Sequence, residues 1–150
     1  MADRLRQISR CFTLGDFLVD RAFPNLAAAL EPTDAHIRNL ARLATVLDAL
    51  VDEFGGEWTI LTGFRDVALN QACRRAGLPA SVESLHLDGC AADVKPDPSV
   101  DLESVYRWIG ERTRPDLGIH EAVYYPKKGF MHLAVESDVR PSAKRIIMRT

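Results

Sequence analysis

The chain has 150 residues, with 19 Lys+Arg against 21 Asp+Glu and a formal net charge of −2. That is one domain's worth of sequence, expected as a single domain over 1–150, with no basic excess to neutralise phosphates or anionic lipid, so no nucleic-acid or membrane partner is expected. A hydrophobic fraction of 47% with 27% charged residues excludes disordered and collagen-like classes, and no apolar run approaches the ~20 residues that span a bilayer.

Phe12 to Leu18 reads as a short helix capped by Thr13 and ended by Phe23-Pro24, since the residue before proline avoids the helical region. From Thr33, the positions Ile37, Leu40, Ala44, Leu47, Val51 and Phe54 alternate in steps of three and four, the stripe of an amphipathic helix, and Gly55-Gly56 ends it. Glu57 to Thr62 is rich in strand formers, and Gly63-Phe64-Arg65-Asp66 turns into a second helix over 67–76, with Asp66 as N-cap and Gly77 beyond its end. After a loop, Cys90 to Val94 reads as a short buried strand stopped by Lys95-Pro96. A third helix is predicted from Ser99 or Asp101 to Arg112, burying Val105, Trp108 and Ile109. A hairpin of Ala122–Tyr125 and Phe130–Val135 around Pro126-Lys127-Lys128-Gly129 follows, then a last strand at Arg145–Met148. Helices early and strands late predict an α+β fold with a small, mostly antiparallel sheet and helices packed on one side.

Three cysteines, Cys11, Cys73 and Cys90, show no CxxC spacing. They read as small buried side chains in a reducing compartment, not as a disulfide framework. The stretch Ser84-Leu85-His86-Leu87-Asp88-Gly89-Cys90-Ala91-Ala92-Asp93 is more informative. Imidazole and carboxylate are ligands that zinc accepts, and a catalytic site needs three of them with a position left open. His132, centred in the apolar strand Phe130–Val135, is the natural third; on residue chemistry alone it reads either as that ligand or as a satisfied core histidine. His36, near the start of the long helix, is expected to be exposed, and His120 has the opposite strand parity to His132.

The string Ser84-x-His86-x-x-Gly89-x-Ala91-x-Asp93, with Thr62-Gly63-Phe64-Arg65-x-x-x-Leu69-Asn70 before it and Phe130-x-His132 after it, resembles the zinc D-alanyl-D-alanine carboxypeptidase family. That family includes phage endolysin peptidases and vancomycin-resistance dipeptidases, and shares its metal fold with the Hedgehog signalling domain. The resemblance covers roughly residues 10–140 and extends to Phe12-Thr13-Leu14-x-x-Phe17. It implies a fold of that type, zinc held by His86, Asp93 and His132, and hydrolysis of short peptides, above all peptidoglycan stem peptides containing D-alanine. Arg65 matches the arginine that grips substrate, where a planar guanidinium suits a peptide carboxylate. Ser84 and Tyr125 are expected beside the substrate; Ser84 reads equally as an orienting hydroxyl or a loop cap, and Asn70 as a residue that pins backbone. Met1-Ala2-Asp3-Arg4-Leu5-Arg6 leads into no apolar segment, so no Sec signal is expected, and the implied location is cytoplasmic, or phage-encoded with release at lysis.

The sequence departs from that family in one respect. Its members carry, a few residues before the last histidine, a glutamate that takes a proton from the attacking water, whereas Tyr125 to Met131 contains no acid. Strand parity offers a substitute. With residues 126–129 as the loop, Tyr125 pairs with Phe130 and Val123 with His132, which puts Glu121 on the face of His132. Glu121 is therefore the expected catalytic carboxylate, with Glu136 and Glu83 behind it. A chain without that base also suits a catalytically silent zinc-binding module or a phage structural component.

Overall fold

The computed structural model describes residues 1–111 and 117–148. Its first buried side chains, Phe12, Leu14, Phe17 and Leu18, gather on a single 3₁₀ turn, Leu14–Phe17, instead of a longer helix. Asp16 accepts the Thr13 N–H at 2.8 Å and closes that turn. Pro24 does not end a helix but begins one: α1 (Pro24–Ala28) carries it at the first position, where the missing N–H costs nothing and the fixed φ is already helical.

Helix α2 (Asp34–Phe54) follows the predicted stripe, with Leu40, Ala44 and Leu47 fully buried and Ile37, Val51 and Phe54 half-buried. Thr33 and His36 cap it reciprocally, at 3.3 and 3.0 Å, and Gly55 leaves it at φ +70°. His36, expected exposed, is half-buried because its ring lies 4.5 Å from that of Phe64. Strand β1 (Thr59–Thr62) leads into α3 (Val67–Arg75), where the Asp66 carboxylate accepts the Leu69 N–H at 2.8 Å. A second 3₁₀ turn, Leu85–Asp88, interrupts the loop before β2 (Ala91–Lys95). Helix α4 (Leu102–Glu111) buries Val105 and Ile109, and the predicted end at Arg112 lies outside the described residues. The hairpin strands β3 (Glu121–Tyr125) and β4 (Phe130–Ala134) precede β5 (Arg145–Met148).

The five strands form one open sheet in the order β1-β2-β4-β3-β5, antiparallel except for β3 with β5. With four α-helices among the described residues this is an α+β architecture. Thr62, Asp93, His132, Val123 and Ile147 are successive cross-strand partners in one row, so their side chains share a face. Ala92, Val94, Met131, Leu133, Ala122 and Tyr124 point the other way and are buried. Cover for that second face comes from α2, which contacts β2, and α4, which contacts β3, Tyr106 stacking on Tyr124 at 5.6 Å. The alternation thus leaves the Asp93–His132 row facing away from the α2/α4 layer. Cys73 and Cys90 are buried free thiols, whereas Cys11, expected in the core, is exposed, its N–H held by Asp48 in a surface loop. No helix among the described residues is long and apolar enough to cross a membrane.

Candidate metal centre

Two kinds of backbone deliver the three candidate ligands. Asp93 and His132 are cross-strand partners on β2 and β4, so the register alone brings their side chains together. His86 arrives from the 3₁₀ turn Leu85–Asp88, whose first turn is capped by Ser84 Oγ accepting the His86 N–H at 3.2 Å. Of the two readings of Ser84, the loop cap is the contact present. Gly89 then leaves the turn at φ +75°, and a Cβ there would lie 2.7 Å from the His36 carbonyl, which makes glycine the residue that fits.

His86 is held through one ring nitrogen. Its Nδ1 lies 2.8 Å from the Gly63 carbonyl oxygen, so Nδ1 carries the proton and Nε2 keeps its lone pair, aimed at Asp93 Oδ1 3.6 Å away. Gly63 can present that carbonyl because it packs directly on the chain at Phe17; a Cβ at residue 63 would sit 2.1 Å from the Phe17 carbonyl oxygen. The Arg65 N–H donates in turn to the His86 carbonyl at 3.1 Å. His132 presents its other nitrogen. Its Nδ1 faces Asp93 Oδ1 at 3.0 Å and its Nε2 faces Glu121 Oε1 at 3.0 Å.

The fit to a metal ion can be tested on these distances. A tetrahedral ion with bonds of about 2.0–2.1 Å needs ligand atoms roughly 3.3 Å apart. The observed separations of 3.6 Å (His86 to Asp93) and 3.0 Å (His132 to Asp93) bracket that value, and one ligand atom from each of the three residues lies within 4.8 Å of the others. The three residues form a group that could hold a metal ion. Burial favours the neutral form of His86 and lowers its pKa despite the nearby Asp93 carboxylate. Burial also works against a charged His132, but hydrogen bonds to Asp93 and Glu121 overcome it and push the imidazole up to about 9. Asp93, although its burial opposes charge, is held well below the usual carboxylate range by His86 and His132. The contacts to Asp93 and Glu121 thus favour the protonated form of His132.

His86, Asp93 and His132 line a cavity of about 850 Å³ that Arg65, Glu121 and Tyr125 also line. Arg65 is buried, its Nε 3.7 Å from Asp20 Oδ2 and without a hydrogen-bond partner of its own. Asp20 is in turn fixed by the N–H groups of Ala22 and Phe23 at 2.9 and 3.1 Å. No spacing in the sequence marks Asp20 as the partner of Arg65, since the two meet only through the fold. Tyr125 stacks on Phe130 at 4.9 Å, with Lys128 5.6 Å from its ring centre. Asn70 donates to the Ser81 carbonyl at 2.9 Å and pins the loop wall.

The hairpin register is the predicted one, Tyr125 with Phe130 and Val123 with His132. Glu121, opposite Ala134, reaches diagonally to His132, and its second oxygen lies 3.6 Å from Arg145 Nε. The hydrogen bond from His132 holds its pKa below the usual range although burial opposes it. Glu83, exposed at the cavity rim, lies 3.5 Å from Arg140, and Glu136 is exposed. Compared with protein-family models, with curated proteins and with solved structures, the chain gives no match.

Proposed function

We propose that the chain is a zinc metallopeptidase of the D-alanyl-D-alanine carboxypeptidase type, with that family's fold, acting on short peptides and first of all on peptidoglycan stem peptides ending in D-alanine. One observation carries the reading: His86, Asp93 and His132 bring one ligand atom each within 4.8 Å of the others, on the wall of a cavity that also holds a buried arginine. Zinc bound there supplies Lewis acidity toward a carbonyl and toward water. Arg65, anchored from behind by Asp20 and lining the cavity, binds the peptide's terminal carboxylate. Tyr125 and Phe130 form an aromatic wall for the rest of the chain.

A second reading rests on Glu121. Amide hydrolysis requires a group that takes a proton from water and delivers it to the leaving amine. Glu121 is committed through one oxygen to His132 and through the other to Arg145. This favours the alternative of a zinc-binding module that captures a peptide without cutting it. Incubating zinc-loaded protein with D-Ala-D-Ala and with peptidoglycan fragments, and following new amines by mass spectrometry, tests the peptidase. Release of D-alanine supports it. Saturable binding of the same peptides without release supports the silent module, and neither binding nor release overturns both.

A further inference from the structure

The turn that carries His86 and the segment that leaves β4 beyond His132 are joined by a polar cluster. Asp88 ends the 3₁₀ turn, and its carboxylate is 7% exposed. It accepts Ser137 Oγ at 2.8 Å and Arg140 Nε at 2.9 Å. The Ser137 hydroxyl oxygen also accepts the N–H groups of Val139 and Arg140, at 3.3 and 3.2 Å, so the segment folds around that side chain. Around this core the same two stretches are stitched again: Val135 N–H donates to the Cys90 carbonyl at 2.8 Å. From α2, Asn39 donates to the Asp88 carbonyl at 2.8 Å and Arg42 to the Glu136 carbonyl at 2.7 Å. A buried carboxylate with a charge-assisted partner is a strong joint, and it costs several kcal/mol to leave unpaired.

We propose that Asp88, Ser137 and Arg140 form a clamp that holds His86 in place against His132 and so sets the affinity of the metal site. The inference rests on the metal reading of His86, Asp93 and His132, and is independent of whether a peptide is cut. Asp88 is two residues from His86, and Ser137 five residues from His132. A metal ion that takes one ligand from each stretch closes the gap that the clamp already closes. Ordering lost by opening the clamp must then be supplied by metal binding, which weakens the ion's hold. The coupling is reciprocal, so the metal also strengthens the clamp. None of the three side chains touches a ligand atom; they are positioning residues.

The test is zinc affinity by chelator competition, with the visible spectrum of the cobalt-substituted protein, on Arg140→Gln, Arg140→Lys and Ser137→Ala. Arg140→Gln is expected to weaken zinc about tenfold or more, within the range that outer partners of metal ligands command, and to alter the cobalt spectrum. Arg140→Lys keeps the charge and is expected to recover part of the loss. Should Arg140→Gln fail to fold, Ser137→Ala, which removes one hydroxyl, decides on the same measurements. A purely structural ion pair would lower the melting temperature of the metal-free variants and leave affinity and spectrum as in wild type, and that result overturns the clamp. Wild-type protein that takes up no zinc or cobalt fails the metal reading itself, an outcome distinct from normal uptake by wild type and variants alike.

Discussion

Glu121→Gln separates the two roles open to this carboxylate, because they predict opposite effects on the metal. In the structure Glu121 Oε1 accepts the His132 Nε2 proton at 3.0 Å, leaving Nδ1 as the ligand nitrogen. Glutamine preserves shape and an acceptor oxygen but removes the charge. A charge-assisted bond of about 1.5–3 kcal/mol becomes a neutral one of about 0.5–1.5, a loss of about 1–1.5 kcal/mol, or roughly five- to twelvefold in zinc affinity. One opposing effect must be removed by choice of pH. Glu121 also stabilises the imidazolium of His132, which titrates near 9, and that proton competes with the ion for Nδ1. Glutamine relieves this competition below pH 9, so the loss is muted at neutral pH and fully expressed above it. Zinc dissociation constants for wild type and Glu121→Gln, measured by chelator competition from pH 6.5 to 9.5, should therefore diverge as pH rises. A free general base predicts something different: zinc affinity equal at every pH and hydrolysis down roughly 10²–10⁴-fold. Equal affinities at pH 9.5 would refute the orienting role and return Glu121 to candidacy as the base.

Three further outcomes follow from the same geometry. His86→Ala should abolish stoichiometric metal by elemental analysis while the fold persists, since Leu40, Leu43, Leu47, Phe17 and Met131 form a buried apolar core that does not include the imidazole; retained metal would reject the ligand set. Arg65→Lys keeps the charge and loses the planar fork, so it should weaken binding of D-Ala-D-Ala several-fold with little change in melting temperature, and unchanged binding would make Arg65 a bystander. In the metal-free protein the raised His132 pKa contributes stability that is full below the unfolded value of about 6.5 and lost as pH rises through about 9. Adding zinc should invert the trend over that window, because the ion displaces the His132 proton and binds up to about tenfold more tightly per pH unit; melting curves with and without zinc that run parallel would contradict this.

Local patterns in the sequence carried the helices and the hairpin but not the way they meet. The stripe Ile37 to Phe54 and the cap Asp66 each depend on neighbours within four residues, and they appear where expected. The pairing of Val123 with His132 was legible because a loop of residues 126–129 leaves one register. Pro24 was misread because proline both stops one helix and starts another, and only the packing of α1 on α3 decides. Parity placed Glu121 on the correct face yet could not say which atom it touches; that depends on a diagonal reach to His132. Asp20 beneath Arg65, and the Asp88 joint spanning 49 residues to Ser137, have no local signature, since each joins loops that only the sheet order brings together.

The two histidines are not equivalent, and the difference bears on what the cavity accepts. His86 leans on a neutral carbonyl, Gly63, whereas His132 leans on a carboxylate, Glu121. A carboxylate partner makes its imidazole the more basic ligand. With a divalent ion in place, Asp93 and Glu121 together balance its charge, and Asp20 balances Arg65. Arg145 at the rim is shared with Glu121 at 3.6 Å, and Lys128 lies over Tyr125. The lining carries four cationic side chains, Arg21, Arg65, Lys128 and Arg145, against four carboxylates, Asp20, Glu83, Asp93 and Glu121, so a bound divalent ion would leave it net positive. A cavity so charged, with little solvent beside Arg65 to screen it, favours an anionic end group over a cationic one. It selects a free carboxylate, so a D-alanyl peptide should bind more tightly than the same peptide amidated at its C-terminus. Equal affinity for the two forms would remove Arg65 from substrate recognition while leaving the metal centre intact.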